Sequence, residues 1–236
     1  SENTLLRYQA LRNIPLNAKS WPVLLSKLRD PVAAIRMEAA IRVAERSQDI
    51  PAEYREIFYG ALKEYIAGQL YNADFPGANV NLGHLYFSLG NFPQAQRYFS
   101  DALKIDRNFD AARLGLAHVA HAQGHADVAI AHFMQYLQQQ PRDYDAMVGL
   151  GLLLAEQKQT NSAIAYLERA RQHLTQRPRI RYNLALLYMR SNRLEKAESF
   201  LRELVEEYPE EEDFRRALRW YDSQFPAHDG ANRRTR

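Results

Sequence analysis

Apolar and small residues return along this chain at a fixed interval of 34 residues between Pro76 and Glu211. Stacked as windows 76–109, 110–143, 144–177 and 178–211, the sequence aligns an apolar residue followed by a small one: Leu82-Gly83, Leu116-Ala117, Leu150-Gly151 and Leu184-Ala185. Thirteen residues further on stands an alanine, Ala95, Ala129, Ala163 or Ala197, and four beyond that a large apolar residue, Phe99, Phe133, Leu167 or Leu201. In each window the apolar positions recur three and four apart on either side of a break at Gly90, Gly124, Lys158 or Asn192. That is the pattern of two amphipathic helices joined by a tight turn. Small residues let neighbouring helices cross closely, and Tyr86, Leu154 and Tyr188 join the large side chains that fill the space between them. One window cannot bury its apolar face alone, whereas four stacked windows bury a continuous core, so the pattern predicts an all-α solenoid.

The rest of the chain carries weaker helical patterns. Leu5 to Arg12 matches Ala34 to Ile41, within the segment that ends at Arg42, with a shift of 29 residues, Arg7 falling on Arg36 and Ala10 on Ala39. Trp21 to Leu28 predicts a short amphipathic helix, followed by Asp30 as N-cap and Pro31 as the first residue of the next helix. The segment 50–75 reads as a degenerate half-repeat, with Ala61 and Tyr65 where a second helix would place its small and large residues, joining the two arrays without a flexible linker. Phe214, Leu218, Trp220, Tyr221 and Phe225 predict a helix over 212–225 that covers the open face of the last window. The residues 226–236, with Gly230 and the run Arg233, Arg234 and Arg236, predict a disordered tail.

The 34-residue pattern, with Pro141 and Pro209 closing two windows, resembles the tetratricopeptide repeat (TPR) family over 136 of 236 residues. The pattern of 1–49, in which Asp-Pro precedes Ile35-Arg36 and Ala39-Ala40, resembles HEAT repeats, with the first copy incomplete. The resemblances imply a right-handed α-solenoid of TPR helix hairpins preceded by HEAT-like helices, and a protein–protein interaction scaffold. A further resemblance rests on the segment from Arg29 to Ala40 and on Glu64 to Gly83: it is to the C-terminal region of periplasmic multihaem c-type cytochromes. It implies the alternative function, a docking module that supports electron transfer, and a periplasmic location in place of a cytoplasmic one. Haem c would then sit in an upstream region, because this sequence has no Cys-x-x-Cys-His to hold it.

Composition narrows the classes further. Cysteine is absent, which excludes a disulfide framework and a thiolate metal site within these residues. A net charge of +3 with both signs dispersed gives no footprint for nucleic acid. No apolar run approaches the roughly 18 residues of a membrane-spanning helix. The start at Ser-Glu-Asn, without methionine or an apolar leader, reads as a mature or trimmed product.

Candidate chemistry centres on the first helix of each window, whose exposed face lines the inner groove in the TPR family. The resemblance therefore implies a partner-binding groove formed by Asn81, His84, Phe87, His118, His121, Asp145, Tyr182, Asn183 and Arg190. Leu114, Val148, Gly149, Leu186 and Met189 share that face. Mixed polar and aromatic groups suit a peptide or helix as partner. His84 and His118 occupy equivalent places and His121 follows a turn later. They read either as ligands for a carboxylate or metal, or as solvated side chains, and no carboxylate completes a metal site with them. The carboxylate clamp of chaperone-binding TPRs needs Lys and Asn where Val80, His84 and Gly115 stand, and is rejected. Arg169, Arg171, Arg177, Arg179 and Arg181 either pair internally with the acidic run from Glu203 to Asp213 or receive an acidic partner. Gly149-Leu150-Gly151 lacks the strand and third glycine of a nucleotide loop, and no nucleophile elbow is present, so no enzyme activity is expected.

Overall fold

The computed structural model describes residues 3–226, so the predicted tail beyond Pro226 lies outside the described residues. Among them every regular element is helical, and the chain divides into two compact units, Ser1–His125 and Ala126–Arg236.

The N-terminal unit holds α1 (Thr4–Asn13), α2 (Trp21–Lys27), α3 (Ala33–Val43), a 3-10 turn (Ala44–Asp49), α4 (Ala52–Tyr71), α5 (Pro76–Ser88), α6 (Phe92–Ile105) and α7 (Asp110–Ala122). Asn3 starts α1 by accepting the Leu5 and Leu6 amides at 2.9 and 3.3 Å. Leu11, Leu24, Leu28, Ile35, Phe58 and Leu62 form a common core, to which α5 contributes Leu85. Arginines fasten the loops around it: Arg7 pairs with Asp30, Arg36 with Glu64 at 2.9 Å, and Arg42 donates to the Ile14 carbonyl.

Asp30 does not cap a helix. Its carboxylate is buried against Arg7, and its other oxygen accepts the Val32 amide at 3.0 Å, so the chain turns once more before α3 begins at Ala33 and Pro31 stays outside the helix. Burial alone would push the Asp30 carboxyl up. The Val32 amide and the Arg7 guanidinium outweigh it and hold the carboxyl below the usual carboxylate range.

A second core in this unit gathers Val80, Phe99, Leu116 and Val119 from α5, α6 and α7. Its centre is the Phe99 ring, which lies between two glycines: a Cβ built on Gly83 would meet it at 2.6 Å and one on Gly115 at 2.4 Å. The small residue of the sequence pattern thus admits the large residue of the following helix, and a second glycine from the next hairpin closes on the ring's other side.

The C-terminal unit repeats this logic in α8 (Ala126–Gln139), α9 (Tyr144–Glu156), α10 (Thr160–Arg171), α11 (Pro178–Arg190), α12 (Leu194–Glu207) and α13 (Glu212–Gln224). Gly151 faces Leu167, which a Cβ would meet at 2.8 Å, and Gly149 faces Phe133 at 3.3 Å. Gly149, half-buried on that face, therefore also gives room to the Phe133 ring. Asp143 caps α9 through the Ala146 amide at 2.9 Å and accepts the Tyr136 hydroxyl at 2.6 Å.

The four turns within the windows share one geometry. Gly90, Gly124, Lys158 and Asn192 all take positive φ, at 72°, 77°, 59° and 57°. The residue after each donates its amide back to the carbonyl five before it, Asn91 to Tyr86 and His125 to Ala120 at 2.8 Å, Gln159 to Leu154 at 2.9 Å and Arg193 to Tyr188 at 2.8 Å. This left-handed closure satisfies carbonyls that the end of a helix leaves open.

The helix α13 stands 34 residues after α11, in the place of another first helix. Phe214, Ala217 and Tyr221 are buried, and the Tyr221 hydroxyl donates to the Leu194 carbonyl at 3.1 Å. Where the earlier first helices carry Gly or Ala after their aligned leucine, α13 has Arg219, which pairs with Glu212 at 2.6 Å. A side chain of that size occupies the place where a second helix would set its large apolar residue, so α13 ends the repeat pattern as a cap.

Candidate partner-binding faces

The helices α5 and α7 carry five of the sequence-assigned residues within the N-terminal unit. Asn81 is exposed and donates to the Gln69 side-chain carbonyl at 2.9 Å. His84 is surface-accessible, yet its ring stands edge-on to Phe99 with centroids 5.1 Å apart. Dehydration over that ring is the main reason its pKa falls below 6.5, and His118 adds to the effect. His118 is lowered likewise, by burial first and by His121 second. Neutral rings are therefore favoured at His84 and His118. Phe87 is half-buried against Phe92, centroids 5.6 Å apart, and serves the hairpin as much as any partner. Among the described residues no three His, Asp or Glu side chains gather as a metal site.

The other four residues lie in the C-terminal unit. Asp145 is engaged by Arg177. Tyr182 packs on Phe214 with centroids 5.3 Å apart, Asn183 is half-buried, and Arg190 is exposed and donates to the Ala155 carbonyl at 3.3 Å. Tyr182 and Arg190 share a cleft of about 560 Å³ between α11 and α13 with Leu186, Met189, Trp220 and Phe225. Trp220 is 51% exposed there, its ring 6.3 Å from that of Phe225.

Sequence reasoning gave Trp220 a covering role, but the buried stripe of α13 runs through Phe214, Ala217 and Tyr221. Trp220 falls off that stripe, which helical spacing alone could have revealed. A large apolar surface left open beside charged rim residues is what partner-binding clefts present.

The arginine cluster resolves to internal pairing. Arg171 holds Glu168 at 2.8 Å, Arg179 holds Asp213 at 2.8 Å and Glu211 at 3.5 Å, and Arg181 holds Glu207 at 2.5 Å and Glu203 at 3.7 Å. Arg177 is taken by Asp145, and Arg169 donates to the Pro141 carbonyl at 2.7 Å. None is left as a dedicated docking point for an acidic partner.

A second cleft, of about 1020 Å³, was not anticipated from sequence. It lies within the N-terminal unit between α1, α3, α4 and α5, and Asn81 and His84 reach its edge. Tyr8, Arg12, Glu38 and Tyr65 contribute to its polar lining, and none of the four belongs to the 34-residue pattern.

Comparison with known proteins agrees with the geometry. The family model described as tetratricopeptide repeat matches residues 86–151 and 154–221, more than half of the chain. The anaphase-promoting complex subunit CDC16 of Saccharomyces cerevisiae is 26% identical over 121 residues, which are 51% of this chain and 14% of that protein. This chain therefore spans only a small part of that relative's length. Among solved structures, YrrB, described as a TPR protein with an unusual peptide-binding site, superposes with a TM-score of 0.62 at 19% identity over 68% of this chain and 82% of its own. MamA of Desulfovibrio magneticus RS-1 gives 0.61 at 21% identity over 65% and 87%. At these identities the structures attest the fold.

Proposed function

Because this chain belongs to the tetratricopeptide repeat family, we propose that it is a protein–protein interaction scaffold that takes a peptide or protein partner on the exposed faces of its first-of-pair helices. In the N-terminal unit that face presents Asn81, His84, Phe87, His118 and His121, and in the C-terminal unit Asp145, Tyr182, Asn183 and Arg190. The observation that carries the reading is the cleft between α11 and α13, where Trp220, Leu186, Met189 and Phe225 offer an apolar surface beside Arg190 and Arg216. Aromatic and arginine side chains around a desolvated pocket are the groups that dominate binding energy in protein interfaces. No residue is assigned a catalytic role. CDC16 is a subunit of a complex and YrrB has a peptide-binding site, and both are consistent with a scaffold.

The reading is tested by selecting peptides from a displayed library on the full chain and measuring affinity of the best binder by calorimetry. Trp220→Ala, or the pair His84→Ala and His118→Ala, is expected to weaken binding at least tenfold, about 1.4 kcal/mol. Unchanged affinity in both variants would remove partner binding from these faces.

A further inference from the structure

The cleft between α1, α3, α4 and α5 has a charge distribution that repeat packing does not explain. All of its lining except Ser88 precedes residue 86, where the family match begins. Met37, Ile41 and Leu85 form an apolar floor, and Leu5, 61% exposed, stands on one wall. On that floor sits Glu38, half-buried in the middle of α3.

Neighbouring carboxylates in this unit are matched with arginines, Asp30 with Arg7 and Glu64 with Arg36. Glu38 has no ion-pair partner among the described residues, and its charge helps push up the Tyr8 hydroxyl, second to burial. Arg12, the arginine on the same cleft, is exposed and lies by the Tyr8 ring, 6.0 Å from its centroid, without pairing to Glu38. Asn81 and Gln69 on the facing wall satisfy each other at 2.9 Å. Tyr65 completes the surroundings of Glu38, its hydroxyl pushed up to about 12 by burial and then by the charge of Glu38 and the nearness of Tyr8.

A half-buried carboxylate without an ion-pair partner is incompletely compensated, and a cation is the group that compensates it. Two phenol rings beside it add cation–π attraction. The volume exceeds what one side chain fills, and the apolar floor suits the residues that flank a charge on a polypeptide. We propose that this cleft binds an arginine or lysine side chain of a partner polypeptide, with Glu38 as counter-ion, Tyr8 and Tyr65 as walls, and flanking apolar residues of the partner against Leu5, Met37 and Ile41.

This site is separate from the α11 and α13 cleft, and its test is kept separate. The full chain is screened against an array of terminally blocked 12-residue peptides, each with one central arginine and varied flanks, and the best binder is remade with citrulline, which keeps the shape and removes the charge. The expected result is saturable binding of the arginine peptide, at least tenfold weaker for the citrulline form and for Glu38→Gln, and unchanged by Trp220→Ala. Tyr65→Leu is expected to weaken it several-fold as a second, charge-neutral variant, with folding of each variant checked by its thermal midpoint. The proposal is overturned if no arginine peptide binds saturably, if citrulline binds equally well, if Glu38→Gln binds as the native chain does, or if free N-acetylarginine amide binds as tightly as the peptide. Binding lost in Trp220→Ala would place the peptide on the scaffold cleft instead.

Discussion

Phe99 accepts no enlargement on either side of its ring. An alanine at Gly83 or Gly115 gains about 1 kcal/mol of helix propensity, but its methyl would lie 2.6 or 2.4 Å from a ring that the opposite glycine prevents from shifting. Gly83→Ala and Gly115→Ala are therefore expected to lower stability by about 1–3 kcal/mol, whereas Gly60→Ala in α4, with nothing within 4 Å, should raise it by about 0.5–1 kcal/mol. Urea denaturation of the three variants checks the difference in sign. Asp30→Asn leaves the half-buried Arg7 without its counter-charge and should cost about 2 kcal/mol in the same assay. At this scale the sequence showed the alignment of Gly83 and Gly151 with the large residue of the next helix. Gly115 and Gly149 were not recognisable as packing residues, because the aligned pair begins one residue later and their role depends on the preceding hairpin. Asp30 likewise reads as a helix cap in any local window. Its real partner, Arg7, is 23 residues away.

Among the elements, the four turns show most clearly how a period in sequence becomes a period in backbone conformation. Two use glycine, for which positive φ costs nothing steric, and two hold Lys158 and Asn192 at φ 59° and 57°. Lys158→Gly should stabilise the C-terminal unit by about 1 kcal/mol, with a smaller gain for Asn192→Gly, since asparagine already tolerates this region. Gly90→Ala should cost about 1 kcal/mol by the same argument, and thermal unfolding of the three variants decides it. The break positions were legible because the aligned residues fall at one place in every window. The outward side chain of α13 was legible too, but only by tracing the helical stripe through Phe214, Ala217 and Tyr221, because five apolar residues in a short segment otherwise suggest complete burial.

For the whole molecule, the all-helical architecture and the TPR pattern were readable from spacing alone, since each repeat is set by contacts with its neighbours and so leaves a periodic trace. The cleft around Glu38 left none, because it is assembled from helices that do not repeat. Protonation links the described faces to stability. His84 and His118 have folded pKa values below 6.5, so the fold favours the neutral rings: their contribution is complete above pH 6.5 and is lost as pH falls through the folded values. The thermal midpoint should therefore decline on acidification from about pH 7 to about pH 5, less steeply in a His84→Asn and His118→Asn variant. An identical slope in that variant would remove the histidines from the explanation. Tyr65 and Tyr188, raised to about 12 by burial, contribute stability that is complete below pH 10 and fades toward 12.

The scaffold reading is tested most directly by the backbone amide spectrum of the isotopically labelled chain during titration with the library-selected peptide. Saturable shifts confined to the exposed faces of α5, α7, α9 or α11 and to the Trp220 side of α13 are the predicted result. Shifts confined to α6, α8, α10 and α12, or a spectrum that no selected peptide changes, would contradict it.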